Sequence, residues 1–390
     1  MTYLGVFGNP IAHSLSPLLH NAVLSTLGIN AVYGRFKLEN GENLRQSFFD
    51  LRLSGANITL PFKEHAYKQA DILDPTAKEI GAINTLVLDK TTQKLIGYNT
   101  DTSGFLATLL MAGKGAGGAG GGAKSKKLPE SKSADFGDSR GSKDSSDSKN
   151  FANVLTDDLL GALNSGAPSD LRACFGVGLG IDSALILGAG GSAKALAYIL
   201  HQKGVRVLVA NRSPKAEYFA SKGIAFCTFD ELESIAKVDS GEADSAKVDF
   251  GKMDSGKAKS SEANSKKSDS DKIDSAKRDA KSDAKLDSTS ATPNARFDLI
   301  LNATSASIKN DLPLAESTLR PLLSRAKLAY DLMYGTPSPF LNLAKSLDIA
   351  CKDGADMLIM QAVFALKLFI PEIDINRAYS VMSAVFPRKS

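Results

Sequence analysis

Cysteine and histidine are scarce in this chain. Its three cysteines, Cys174, Cys227 and Cys351, lie far apart and share no ligand spacing, which argues against a disulfide framework and against a metal site. His13, His20, His65 and His201 form no metal motif either. Charge of one sign is also missing. The 47 basic and 43 acidic residues leave a formal charge of +4, and no aromatic–basic interleaving points to nucleic acid. Long apolar runs are absent: the longest segment, Met357 to Ile370, is broken by Gln361 and Lys367 and is too short to span a bilayer. The N-terminus shows no basic region followed by an apolar run, the mark of a signal peptide. The expectation is a soluble, cytoplasmic protein with no nucleic-acid or membrane partner.

Glycine, by contrast, is placed with purpose. Ala184 to Leu187 is an apolar run suited to a strand buried on both faces of a parallel sheet. It runs into Gly188, Ala189, Gly190, Gly191, Ser192 and Ala193, which match the G-x-G-x-x-G/A dinucleotide fingerprint. Gly188 allows a tight strand-to-helix turn, Gly190 lets the backbone approach a pyrophosphate, and Ala193 lets the helix pack close to the strand. A helix over Ser192–Leu200 would aim its free N–H groups at phosphates. A strand over Val205–Ala210 follows. Where an NAD protein carries an acid, about 20 residues past the first glycine, this chain has Asn211, Arg212 and Ser213. A guanidinium and short polar donors suit a 2′-phosphate, so NADP is favoured over NAD.

The length indicates two or three domains. Residues 1–112 alternate strands at Tyr3–Phe7, Ala31–Lys37, Gly55–Leu60, Gly81–Leu88 and Leu95–Asn99 with helices at Leu18–Leu27, Leu44–Leu53 and Thr102–Met111, an α/β domain in its own right. Gly55–Leu60 reads as an alternating strand stopped by Pro61. From Lys114 to Asn150 glycine, serine, lysine and aspartate dominate, too few apolar residues to offset chain entropy, so 113–150 reads as a disordered insertion. Residues 151–180 are an ambiguous linker. Lys237–Thr292 is a second biased segment with twelve basic and twelve acidic residues, which fits a solvated spacer better than a nucleic-acid tail. Between these lie the glycine-loop strands, then buried strands at Phe297–Asn302 and at Lys327–Tyr334, and an apolar helix after Gly354.

Several polar residues allow two readings. Ser16, just before Pro17, is a natural N-cap, yet Ser14 and Ser16 could together donate to one carboxylate. Lys63 stands just past a strand's carboxyl end, where α/β sheets bind ligands, although most surface lysines are merely solvated. Asp101 is either an N-cap or a chemical group. Gln361 is a lone amide on an apolar helix, free either to satisfy neighbouring backbone or to meet a ligand.

Read together, Ser14–Pro17, Asn57–Lys63, Gly81–Leu86, Asn99–Asp101, Gly188–Ala193, Asn211–Ser213, Asn302–Ser305, Tyr330–Tyr334 and Gly354–Ala362 resemble the shikimate dehydrogenase family, in order. The resemblance implies an N-terminal α/β substrate domain (1–112, completed by C-terminal helices at about 360–390) and a Rossmann-like NADP-binding domain (181–359). It implies NADPH-dependent, reversible reduction of 3-dehydroshikimate to shikimate in aromatic amino-acid biosynthesis, by a monomer or homodimer. Carried over by motif, Lys63 and Asp101 form the catalytic pair. Ser14, Ser16, Thr59, Asn84, Tyr334 and Gln361 join them in binding substrate. Gly188, Ala189, Gly190, Gly191, Ser192, Asn211, Arg212 and Ser213 hold the cofactor, and Leu332 and Gly354 lie near its nicotinamide. Leu332 stands where the family commonly has Met, and Ser213 where it has Thr. The two insertions are the larger departure. Three other readings stay open: a quinate/shikimate dehydrogenase using NAD, a non-catalytic ligand-sensing relative, and a scaffold acting through the insertions. Chemically, reduction of a ketone needs a proton donor at the developing alkoxide, which an ammonium at Lys63 supplies. A carboxylate beside it favours the charged lysine, and burial opposes it.

Overall fold

The structure is a computed structural model describing residues 1–116, 180–239, 296–335 and 337–387. In the first part the elements run β1 (Thr2–Gly8), α1 (Ser16–Thr26), β2 (Ala31–Lys37), α2 (Leu44–Asp50), β3 (Gly55–Ile58), α3 (Lys63–Gln69), β4 (Ile72–Leu73), α4 (Pro75–Ile80), β5 (Thr85–Asp89), β6 (Lys94–Tyr98) and α5 (Thr100–Ala116). The strands form a mixed sheet in the order β2-β1-β3-β5-β6-β4. β1 pairs parallel with β2 and β3, while β5 and β6 make an antiparallel hairpin joined to β3. The short β4 and α4 have too little periodicity to be read from sequence.

Four local expectations are corrected here. The alternation expected of Gly55–Leu60 is absent, because β3 lies inside the sheet. Ala56 and Ile58 enter a core with Phe48 and Phe62, and Gly55 faces Phe369, so all four strand residues are buried. Ser16 is not the N-cap of α1. Leu15 caps without a side-chain bond, and Ser16 is already the first helical residue, which leaves its hydroxyl for another partner. Asp101 does not cap α5 either. The helix starts at Thr100, and the Asn99 side chain accepts the Asp101 N–H at 3.1 Å. Finally, α5 runs on to Ala116, past the point where composition turns polar.

The second part runs β7 (Ser183–Leu187), α6 (Gly191–Gln202), β8 (Arg206–Asn211), α7 (Ala216–Ala220), β9 (Ala225–Thr228), α8 (Phe229–Asp239), β10 (Leu299–Asn302), α9 (Glu316–Leu323), β11 (Leu328–Asp331), α10 (Pro339–Lys345) and β12 (Ala350–Lys352), with a 3-10 turn at Ala306–Lys309. Its sheet, β12-β11-β10-β7-β8-β9, is parallel throughout the described residues. Every residue of β7 is buried, as its apolar run requires. The strand order reverses between β7 and β10, the doubly wound arrangement in which ligands sit beyond the strands' carboxyl ends at that switch point. β11 stops at Asp331, short of the expected Tyr334. There the buried carboxylate accepts hydrogen bonds from Ser307 (2.6 Å), Ser338 (2.5 Å) and Asn302 (3.1 Å), which turns the chain out of the sheet.

Helices α11 (Ala355–Phe369) and α12 (Ile375–Val385) return to the first sheet. Ile359, Val363, Leu366, Ala378 and Met382 share a core with Leu4, Val6 and Leu19. α5 approaches α11 closely because position 104 is glycine: a Cβ there would meet the Gln361 nitrogen at 2.8 Å. The expected insertions 113–150 and 237–292 and the linker 151–180 lie outside the described residues, apart from the ends of α5 and α8 and the start of the segment before β7. Among the described residues no helix is long and apolar enough to cross a membrane.

Candidate active site

Three chain turns bring the chemistry together. Past β3, the start of α3 presents Lys63; after β6, the first turn of α5 presents Asp101; before β5, Asn84 is held between them. Lys63 and Asp101 are both buried, and the ammonium donates to Asp101 Oδ2 at 2.5 Å. Asn84 Nδ2 donates to the other oxygen, Oδ1, at 2.8 Å. Asn84 is itself held by the Thr100 N–H, which donates to its Oδ1 at 2.8 Å. Its amide also reaches Gln361 Oε1 at 3.4 Å, so the lone amide of α11 belongs to this cluster. Gln361 Nε2 meanwhile donates to the Leu358 carbonyl at 3.1 Å, so this amide does satisfy neighbouring backbone.

The glycine loop closes onto the same cluster. Gly188 has φ +108°, the left-handed region that a side chain disfavours, so the chain can fold back from β7 into α6. Ser192, in the first turn of α6, lies 2.9 Å from Lys63 Nζ and 3.3 Å from Asp101 Oδ2. The two lobes also meet through Lys194, which donates to Glu64 at 2.8 Å and sits 4.3 Å from the centre of the Tyr218 ring. The Tyr218 hydroxyl donates to the Ile80 carbonyl at 2.6 Å. These last residues carry no motif, and sequence reading missed them. They bridge more than 100 positions of chain, and no local pattern announces such a pairing.

The loop fits a dinucleotide. A Cβ built on Gly190 meets nothing within 4 Å, leaving open space above the backbone, and α6 begins there with its free N–H groups. Arg212 and Ser213 follow β8 and are exposed, while Asn211, the last strand residue, ties back to the Ser213 carbonyl at 2.9 Å. Lys215 reaches the Ala189 carbonyl at 3.4 Å, which sets a further cation over the loop. Gly354 packs against the Leu332 carbonyl, so these two expected nicotinamide neighbours adjoin each other.

Among the remaining expected residues, Ser14 and Ser16 stand together in the β1–α1 turn, the Ser16 N–H lying 3.4 Å from Ser14 Oγ. Thr59 follows β3, half-buried beside Gly8. Tyr334 packs its ring on Phe386 of the C-terminal segment, and burial raises its hydroxyl pKa. Among the described residues neither Thr59 nor Tyr334 is a hydrogen-bond partner of Lys63, Asp101 or Asn84.

Fold and site thus define a class: a two-lobed, doubly wound α/β protein with a buried lysine–carboxylate pair facing a glycine-rich dinucleotide loop. A family model described as the shikimate dehydrogenase substrate binding domain matches residues 6–86. The chain is 32% identical over 388 residues to the shikimate dehydrogenase (NADP(+)) of Helicobacter acinonychis, covering 98% of each. It is 33% identical over 387 residues to that of Helicobacter pylori strain P12, again covering 98% of each. The chain belongs to the shikimate dehydrogenase family. Among solved structures it resembles shikimate dehydrogenase 1 of Peptoclostridium difficile (TM-score 0.58, 20% identity, 99% of this chain and 98% of that one). It also resembles the Thermus thermophilus enzyme in complex with NADP(H) and shikimate (TM-score 0.58, 21% identity, 99% and 100%). These two likenesses bear on the fold.

Proposed function

We propose that the protein catalyses the reversible, NADPH-dependent reduction of 3-dehydroshikimate to shikimate in aromatic amino-acid biosynthesis, with residues 1–112 and the helices at about 360–390 as the substrate lobe and 181–359 as the nucleotide lobe. The observation that carries this reading is the buried Lys63–Asp101 pair lying within hydrogen-bond reach of the glycine-loop residue Ser192. The bound nicotinamide would supply the hydride to the ketone carbon. Lys63 would give its proton to the carbonyl oxygen as that oxygen gains charge, and take it back in the reverse direction. Asp101 would hold the amine in place, and Asn84 would fix the carboxylate. Ser14 and Ser16 would anchor the substrate carboxylate, with Thr59, Asn84, Tyr334 and Gln361 around the ring. The Gly188–Ser192 loop would cradle the pyrophosphate, Asn211, Arg212 and Ser213 the 2′-phosphate, and Leu332 and Gly354 would border the nicotinamide. The protein would act in the cytoplasm, as a monomer or homodimer, without nucleic-acid or membrane partners. The test is NADPH consumption on addition of 3-dehydroshikimate to the purified full chain. Turnover with NADPH is expected; its absence would overturn the reading.

A further inference from the structure

A buried line of hydrogen bonds runs from Tyr33 on β2 to Asp101, and its direction is fixed. Asn84 can present its amide in one way only: the Thr100 backbone N–H is a pure donor and takes Oδ1, so Nδ2 must face Asp101. Asn57 is fixed likewise, because its Nδ2 donates to the Asn84 backbone carbonyl at 3.3 Å. That turns Asn57 Oδ1 toward Tyr33, whose hydroxyl donates to it at 2.7 Å. Thr85 joins the two amides, accepting from Asn57 Nδ2 at 3.1 Å and donating to Asn84 Oδ1 at 3.0 Å. The line therefore reads Tyr33 to Asn57 to Thr85 to Asn84 to Asp101, every donor pointing toward the carboxylate. Its far end is the Tyr33 phenol on β2. The Tyr33 ring is stacked 4.1 Å from His20 with planes 1° apart. Burial holds Tyr33 well above the ordinary phenol range, so it remains a donor.

We propose that Tyr33 and Thr85 are positioning residues for proton transfer, setting the Asn84 amide and through it the Asp101 carboxylate that aims Lys63. The proposal rests on the reading of Lys63 and Asp101 as the acid–base pair. Aligned dipoles that strengthen one another are the physical reason such a line holds better than its separate bonds.

The experiment measures kcat and KM for 3-dehydroshikimate, and the melting temperature, in wild type, Thr85→Val, Thr85→Ser and Tyr33→Phe. Thr85→Val removes the hydroxyl and keeps the shape. It should lower kcat about tenfold, as expected for one buried hydrogen bond, with KM changed by less than about twofold. Thr85→Ser should restore most of the loss, and Tyr33→Phe should lower kcat by a smaller factor, being further from Asp101. Wild-type kcat in a folded Thr85→Val, even with a lowered melting temperature, would overturn the proposal and leave Thr85 a structural residue. Should Thr85→Val fail to fold, wild-type kcat in Tyr33→Phe would overturn it instead. An inactive wild type would overturn the reading beneath it, whereas an active wild type with an unaffected Thr85→Val would overturn this proposal alone.

Discussion

On the substrate wall of the cleft, Lys63, Asp101, Asn84, Asn57 and Thr85 are buried, and each polar group meets a named partner. On the nucleotide wall, Gly190 opens onto empty space, and Arg212 and Ser213 are exposed. On the proposed function the difference follows from what each wall must do. Stabilising charge on a reacting oxygen works best when the dipoles are already in place, since nothing then has to reorganise. A cofactor must enter and leave, so its partners have to be reachable from water. One wall is therefore built like a core and the other like a surface, and substitutions on the two should fail in different ways.

The largest break is expected on the buried wall. On the proposed function Lys63→Ala removes the proton donor, and it leaves Asp101 buried without its cation. Turnover should fall by about three orders of magnitude or more, in keeping with the loss of a positioned acid–base group and its charge. KM for 3-dehydroshikimate should change little, because the carboxylate and ring contacts remain. Steady-state kinetics decide: near-normal kcat would remove Lys63 from the chemistry.

The next effect concerns stability. His20 is wholly buried against Tyr33, and burial lowers its pKa from 6.5 to about 3. The unfolded chain takes up the proton as pH falls below about 6.5, while the native chain does not until about 3. Stability from keeping His20 neutral is thus complete above pH 6.5 and is lost progressively toward pH 3. By pH 4 the loss is about 3 kcal/mol, at about 1.4 kcal/mol per unit. Denaturant melts of wild type and His20→Phe at pH 7 and pH 4 test this: the gap between the two pH values should narrow in the variant. An equal pH dependence would show that His20 does not carry it.

On the open wall, Arg212→Ala should weaken NADPH binding by about tenfold to a hundredfold, the worth of a charge-assisted hydrogen bond to the 2′-phosphate, and leave NADH almost unchanged. The fold should not suffer, since the side chain is exposed. Equal losses for both nucleotides would count against the 2′-phosphate role.

The comparison of walls also explains what sequence could convey. The open wall was legible: a glycine fingerprint between a buried strand and a helix, then Asn211 and Arg212 after the next strand, is a local pattern set by local geometry. Lys63 and Asp101 were legible as candidates through their place at strand ends and through their motifs. What joins them was not. Tyr33 meets Asn57 across 24 positions, and Lys63 meets Asp101 across 38, distances over which no periodicity operates. Ser16 and Asp101 both look like N-caps by residue type. α1 begins one residue, and α5 two residues, earlier than such a cap would need, and the hydroxyl and carboxylate are released for other partners. Tyr334 reads as the end of a strand because its neighbours are apolar; the Asp331 hydrogen bonds that stop β11 come from Ser307, Ser338 and Asn302, two of them more than 20 residues away.

The smallest expected effect lies where the walls touch in solvent. Lys222 of the nucleotide lobe donates to Glu79 at 2.5 Å, and the hydrogen bond and charge of Lys222 hold that carboxyl below its usual range. The Glu79 side chain is 50% exposed, so water and salt screen the pair. Exposed ion pairs contribute about 0.5 kcal/mol, and less at high ionic strength. Lys222→Ala should therefore shift the melting temperature by a degree or two at low salt and by almost nothing at 0.5 M salt (on the order of a 4 Å screening length). Lys194 differs in environment though not in charge: it is buried, with Glu64 at 2.8 Å and the Tyr218 ring beneath it. Lys194→Ala should cost more than Lys222→Ala, and part of its cost should persist at high salt, because packing of the buried ammonium on the ring is not screened, although Glu64 is 43% exposed. If the two variants respond alike to salt, the contact between the lobes is a surface property throughout, and burial at Lys194 adds nothing to it.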